Sequence, residues 1–411
     1  MTMRDLSIHP ILASLRRHKL VALLLMLQVA ATCAVVCNVG FMVAGRLQRM
    51  HMPSGVDEDS LELIRAQDLH PRSDVQARRA ADLALLRAIP GVQSAVAVDS
   101  LPFSRYSWLV DGSASGSAEG APQTRFVLYS GTPGELATLG VKLIAGRDFA
   151  AVDYVPMNVQ GNYSGFNRMD TLIVSRALAE HLFPGLSAVG RQIRIDKRDL
   201  RIAGVVDSVA LPSPGRENAP AYLAFTPMLP DDTYVMYALR CAPSDCDAIG
   251  RKASDTLLAA AGDRLLQPPQ RFADLRAEFF QRDRTMIGLL IAAAMGLLFV
   301  TALGIAGLAS FWVQQRTRSI GIRRAIGATR RDILRYFQTE NFLIVGAGIL
   351  PGIVLAVVLN LLLMRHYELP RLPLWYLPVG ALALWTLGQL AVLSPALRAA
   401  SVPPVVATRS V

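Results

Sequence analysis

Four long runs without Asp, Glu, Lys or Arg constrain this chain more than anything else in it. They cover residues 20–45, 285–315, 341–364 and 372–397. A helix crosses the hydrocarbon core of a bilayer with about 20 apolar residues, and each run exceeds that. Ordinary buried helices are shorter, so the runs read as four transmembrane helices. The first run has too long an apolar part, and no clean small-x-small site, for a cleaved signal peptide; it reads as a retained anchor. Its Gln28, Thr32 and Asn38 are expected to face other helices, because polar groups in lipid need partners.

Charge sets the expected orientation. The chain carries a formal net charge of +10. The excess lies in the N-terminal segment 1–19, in 316–340, and more weakly in the loop 365–371 and the tail 398–411, which leaves 46–284 near neutral. Basic segments stay on the cytoplasmic side. Both termini and 316–340 are therefore expected in the cytoplasm, with 46–284 and the short loop 365–371 outside. The basic balance is then a topology signal, and no basic-aromatic cluster or motif points to nucleic acid.

The expected fold class is an α-helical membrane protein with four transmembrane helices and a large α+β domain inserted between the first and second. Within 46–284, VQARRAADLALLRAI (75–89) has helical spacing, and VQSAVAV after it alternates like a strand. DGSASGSAEGAP (111–122) reads as a loop. TRFVLYS, VKLIAG, AYLAFTP and TYVMYALR read as strands. TLIVS (171–175) is a strand feeding the helix RALAEHLF, and RQIRIDKRDLRIAGVV (191–206) is a hairpin turning near 196–199. Residues 247–261 read as a helix. Residues 272–284 read as a further helix running on into the second span.

Catalytic chemistry is hard to find. The centre of GSASG is Ala114, so it is not a G-x-S-x-G nucleophile elbow. The histidines are scattered with no HExxH, and DED at 57–59 reads as a solvated loop before a metal site. No G-x-x-x-x-G-K-[ST] phosphate loop occurs, so the chain is not expected to hydrolyse ATP by itself, and no directly bound cofactor or metal is expected. Cys33 and Cys37 sit inside the first run as small apolar residues. Cys241 and Cys246 flank a short turn, where a disulfide or two free thiols would both fit.

The densest basic stretch is RTRSIGIRRAIGATRR (316–331), directly after the second run. Gly327 is a natural helix stop. Thr329 followed by Asp332 fits a capping box that starts a new helix. The expected result is a helical bend on the membrane surface, with arginines 323, 324, 330, 331 and 335 and Ile320, Ile322, Ile326 and Ile333 on its face. It could anchor lipid head groups or dock an acidic cytosolic partner.

RTRSIGIRRAIGATRRDIL resembles the signature of the MacB/FtsX-type ABC transporter permeases. QTENFLIVGAGILPGIVLA resembles that family's next span, and PALRAASVPPVVATR resembles its end. LGVKLIAGRDF (139–149), LIVSRALAEHLFPGLSAVGRQI (172–193) and IAGVV (202–206) resemble its periplasmic core domain. The likeness runs in order along nearly the whole chain. One departure is Ser319, where the family usually has Glu.

The resemblance implies a bacterial inner-membrane protein whose 46–284 domain is periplasmic. It would be a non-enzymatic permease subunit that dimerises with an identical chain or a paralogue. A separate cytoplasmic ABC ATPase would use the ATP. Gly321, Ile322, Arg323, Arg324, Ala325, Gly327 and Ala328 would form the coupling surface. Motion would pass to the periplasmic domain for efflux of a peptide, antibiotic or similar substrate, with a periplasmic adaptor and outer-membrane duct as further partners. Lipoprotein release or cell-wall regulation by the same mechanism is the alternative within the family; a non-transporting transmembrane sensor is the alternative outside it. Gly348 and Gly352 are expected to pack closely against another helix.

Overall fold

The computed structural model describes residues 19–70, 74–116, 122–157, 164–214, 221–230, 232–367 and 371–401. Most of the N-terminal segment 1–19, part of the loop at 111–122 and most of the tail 398–411 lie outside them. The chain divides into two compact units, 49–282 and the remainder.

In chain order the main elements are α1 (Lys19–Met50), β1 (Leu61–Asp68), α2 (Val75–Arg87), β2 (Val92–Val98), β3 (Trp108–Ala114), β4 (Thr124–Ser130), α3 (Glu135–Leu139), β5 (Leu143–Gly146), β6 (Val155–Pro156), β7 (Thr171–Ser175) and α4 (Arg176–Leu182). There follow β8 (Gln192–Ile195), β9 (Arg198–Val206), β10 (Leu223–Thr226), β11 (Met228–Leu229), β12 (Tyr234–Cys241), α5 (Cys246–Ala260), β13 (Arg264–Leu266), β14 (Gln270–Arg271), α6 (Phe272–Phe279), α7 (Gln281–Ala325), α8 (Arg330–Tyr367) and α9 (Tyr376–Ser401).

The α+β unit holds two larger sheets. The first is antiparallel, ordered β13-β1-β12-β2, with β14 also on β1. Strand β1 is buried on both faces. Ile64 and Ala66 pack with Leu83 and Leu86 of α2 and Ile249 and Leu257 of α5. Leu61 and Leu63 point the other way, into a core shared with Val127, Tyr129 and Phe225 of the second sheet. That sheet is ordered β5-β9-β7-β10-β4-β3-β8, and an added β8–β9 pairing closes six of its strands into a ring. Phe126, Leu128, Leu172, Val174, Ile193 and Ile202 fill the ring together with Leu178 of α4.

Most strands read from sequence appear within one or two residues of their expected limits. The 191–206 hairpin turns at Asp196, whose φ is +52°. Three readings need correction. The first four residues of the supposed loop at 111–122 belong to β3, paired with β4 from Trp108↔Leu128 to Gly112↔Thr124. The helix read at 272–284 breaks at Phe280, whose φ of −89° and ψ of 5° separate α6 from α7. The DED loop is not simply solvated: Asp57 pairs with Arg240 and Glu58 with Arg276.

The other unit contains α1, α7, α8 and α9, all four long and apolar enough to cross a membrane. Two polar side chains of α1, Thr32 and Asn38, have partners in neighbouring helices. Thr32 Oγ1 lies 2.8 Å from Thr301 Oγ1. Asn38 Nδ2 donates to the Ala356 carbonyl at 3.0 Å. A Cβ on Gly348 would come within 2.8 Å of Val29, and one on Gly352 within 2.7 Å of Cys33, so only glycine allows α1 and α8 to approach this closely. Pro351 lies inside α8.

Candidate functional site

The helix α7 does not stop where its apolar run ends. It continues through the arginine-rich stretch to Ala325, since Arg316–Ala325 holds no proline and its four arginines and Ala325 are good helix formers. It is then closed by backbone geometry. The Ala328 N–H donates to the Arg323 carbonyl at 3.0 Å and the Gly327 N–H to the Arg324 carbonyl at 3.1 Å. Gly327 sits at φ +107°, a conformation that L side chains rarely adopt. This is the paired C-terminal closure that a glycine in positive φ permits.

The next helix is opened by reciprocal capping. The Thr329 N–H donates to Asp332 Oδ2 at 2.9 Å, and the Asp332 N–H donates to Thr329 Oγ1 at 3.3 Å. The Thr329 hydroxyl also donates to Asp332 Oδ2 at 2.6 Å. These hydrogen bonds from Thr329, side chain first and backbone second, hold the Asp332 carboxyl below the usual carboxylate range. Together, closure and cap confine the turn between α7 and α8 to residues 326–329.

The seven residues assigned to coupling from the sequence fall at this turn and the last helical turn before it, but do not share one environment. Ile322, Arg323, Ala325 and Gly327 are exposed, Arg324 and Ala328 are half-buried, and Gly321 is buried. The isoleucines also divide. Ile320 and Ile333 are buried with Phe337, Ala396 and Ala399, so they join the bend to α9 and leave its outer surface. Ile322 and Ile326 remain outside, with Ile326 82% exposed at the tip. Ser319 turns its hydroxyl back to the Arg316 carbonyl at 2.8 Å.

Sequence reasoning missed the contacts that brace the bend. Arg316 pairs with Glu340 of α8 at 3.0 Å and lies over the Trp312 ring at 5.8 Å. Arg323 lies over the Tyr336 ring at 5.3 Å. Two of the arginines in the stretch thus engage groups on α8. The Arg316–Glu340 and Arg323–Tyr336 pairs come from different helices, so no local spacing signals them.

At a distance in the chain, a disulfide joins Cys241 at the end of β12 to Cys246 at the start of α5, with a Cα–Cα distance of 5.5 Å. Cys33 and Cys37 are free and buried in α1. Among the described residues, no group of three or more His, Cys, Asp or Glu is placed to hold a metal ion.

Comparison with known proteins places this architecture. Residues 23–252 match the family model of the MacB-like periplasmic core domain, and 291–404 match that of the FtsX-like permease C-terminal region. The macrolide export ATP-binding/permease protein MacB of Bradyrhizobium diazoefficiens is 30% identical over 229 residues, which are 54% of this chain and 35% of that protein. The pyoverdine export ATP-binding/permease protein PvdT of Pseudomonas syringae pv. tomato is 34% identical over 136 residues, covering 32% of this chain and 20% of that protein. The chain spans about a third or less of the length of these curated relatives. The solved periplasmic region of MacB from Actinobacillus actinomycetemcomitans aligns with 54% of this chain and 94% of its own, at 12% identity and a TM-score of 0.33. With a MacB-like core domain model matching more than half of its length and an FtsX-like model matching most of the rest, the chain belongs to the MacB/FtsX-type ABC transporter permeases.

Proposed function

We propose that this chain is the membrane subunit of an ATP-driven export complex and that the α7–α8 bend is where a cytoplasmic ABC ATPase docks. The observation that carries the reading is the composition of the bend's outer surface. Ile326 and Ile322 stand exposed beside Arg323, Arg330 and Arg331 on a turn fixed by Gly327 and the Thr329–Asp332 cap. Holding lipid head groups needs positive charge but neither a rigid turn nor an apolar tip. A protein partner uses both, since apolar contact supplies affinity and charge supplies register.

In this reading two copies work with two ATPases in the bacterial inner membrane, with both termini cytoplasmic and the α+β domain in the periplasm. The continuous helix α7 conveys the stroke. Relatives named for macrolide and pyoverdine export support efflux of a peptide, antibiotic or similar substrate, assisted by a periplasmic adaptor and an outer-membrane duct.

The test is purification of the full chain from its native membrane in mild detergent, with identification of what accompanies it. An ABC ATPase is expected, and Ile326→Asp should reduce its recovery at least tenfold without altering the yield of the chain. Equal recovery with the variant would remove the bend from the docking surface. Absence of any ATPase, where a known ABC complex survives the same detergent, would favour the sensor alternative.

A further inference from the structure

The α+β domain has a cleft of ≈ 190 Å³ that the coupling reading does not use. Two arginines line it. Arg65 comes from the same face of β1 as Leu61 and Leu63. Tyr234 joins it from β12, in the antiparallel register that pairs Gln67 with Tyr234 and Arg65 with Met236.

Arg105 reaches the cleft by an unusual backbone path. Phe103 and Arg105 both have positive φ, +66° and +68°, a region that non-glycine residues occupy only at an energetic cost. Surrounding contacts hold them there. The Phe103 N–H donates to the Leu211 carbonyl at 3.3 Å and the Arg105 N–H to the Pro212 carbonyl at 3.0 Å. Ser104 Oγ accepts from the Leu101 N–H at 3.2 Å. Phe103 is fully buried, with Phe279 and Phe280 at 5.5 and 5.4 Å. The strained segment leaves the Arg105 guanidinium over the Phe279 ring at 5.5 Å.

The charge of the cleft is unbalanced. Arg65 donates to the neutral Gln267 Oε1 at 3.1 Å, and Arg105 rests on a ring. Among the described residues neither guanidinium is paired with a carboxylate, whereas Arg240, Arg264 and Arg276 of the same domain all are. Glu278, also in the lining, accepts from Gln270 at 3.2 Å. Two fork-shaped donors with a hydroxyl beside them suit a carboxylate head. Phe279, half-buried in the lining above the buried Phe103 and Leu275, gives an apolar edge against which a small apolar body can rest.

We propose that this cleft binds a small organic carboxylate, its head held by Arg65 and Arg105 and its apolar body resting against Phe279. The site stands on its own residues and needs no ATPase, so it holds or fails separately from the coupling reading.

The experiment is saturation-transfer NMR on the full chain in a non-ionic detergent, with benzoate, inorganic phosphate and benzyl alcohol as probes and protein-free micelles as background. Benzoate should bind at least tenfold more tightly than either other probe. R65Q and R105Q should each weaken it at least tenfold, and R65K should retain part of the affinity. Arg105 is exposed, so R105Q keeps the fold even if R65Q does not. Benzoate binding unchanged by R105Q, or no tighter than phosphate or benzyl alcohol, overturns the proposal.

Discussion

Arg316 and Glu340 join two helices across the bend, with the Arg316 Nη1 3.0 Å from Glu340 Oε2 and the Glu340 side chain 2% exposed. Arg316 also donates to the Tyr336 hydroxyl at 3.3 Å. A charged group so deep in the protein is tolerable only with its partner in place. Glu340→Ala should lower the stability of the helical unit by about 1–3 kcal/mol. The check is thermal unfolding in detergent, with Glu340→Gln, which keeps the shape and loses the charge, expected to fall between wild type and Ala.

The turn depends on backbone freedom at one position. Placing alanine at Gly327 forces a Cβ into positive φ and should cost about 1–2 kcal/mol. The same change at Gly40 meets nothing within 4 Å inside α1, so Gly40→Ala should be neutral or slightly stabilising. Melting temperatures of the two variants would separate conformational strain from a general intolerance of alanine, and equal shifts would contradict the argument.

Inside the α+β domain, Arg264 grips Asp82 with both terminal nitrogens, at 2.9 and 3.0 Å, and the Tyr237 hydroxyl donates to the same carboxylate at 2.5 Å. Both charged side chains are 3% exposed or less. Removing one partner strands the other, so Asp82→Ala should destabilise the domain by about 3–5 kcal/mol. Denaturant unfolding followed by domain fluorescence would measure it. Replacing both residues with apolar ones should recover part of the loss.

Glu62 provides the pH dependence. Burial raises its carboxyl to about 7, with a smaller push from the charge of Asp247. The folded state therefore favours the protonated acid. Its stabilising contribution is complete below the ordinary glutamate range and is lost as pH rises through about 7. Glu62→Gln should remove that dependence, making the variant more stable than wild type at pH 8 by on the order of 3 kcal/mol. The two should converge towards pH 4. A wild-type-minus-variant difference that does not change over this range would refute it.

For Cys241 and Cys246, alkylation before and after reduction should label two and then four cysteines per denatured chain. Losing this short cross-link should cost about 2 kcal/mol in the chain-entropy picture. Four labels without reductant would show the thiols free.

How much was legible in the sequence follows from the range of each interaction. The four apolar runs, the glycine stop and the Thr329–Asp332 cap are local, because a helix satisfies its own backbone within four residues and its ends within a few more. Strand β1 was missed because burial on both faces erases the alternation that marks a half-exposed strand, and Glu62 and Arg65 interrupt its apolar run. Strand β3 was missed because its Asp-Gly-Ser segment has loop composition, and pairing with β4 outweighs that preference.

By itself the sequence determined the four apolar helices, the inserted mixed domain and the break at Gly327, since each depends on the order of neighbouring residues. Only the tertiary structure decided that Ile320 turns inward while Ile326 stays out, that Arg316 meets Glu340, and that Arg65 and Arg105 share a cleft. Those outcomes depend on side chains far apart in the chain, whose meeting is set by helix packing, strand register and the strained path through Phe103.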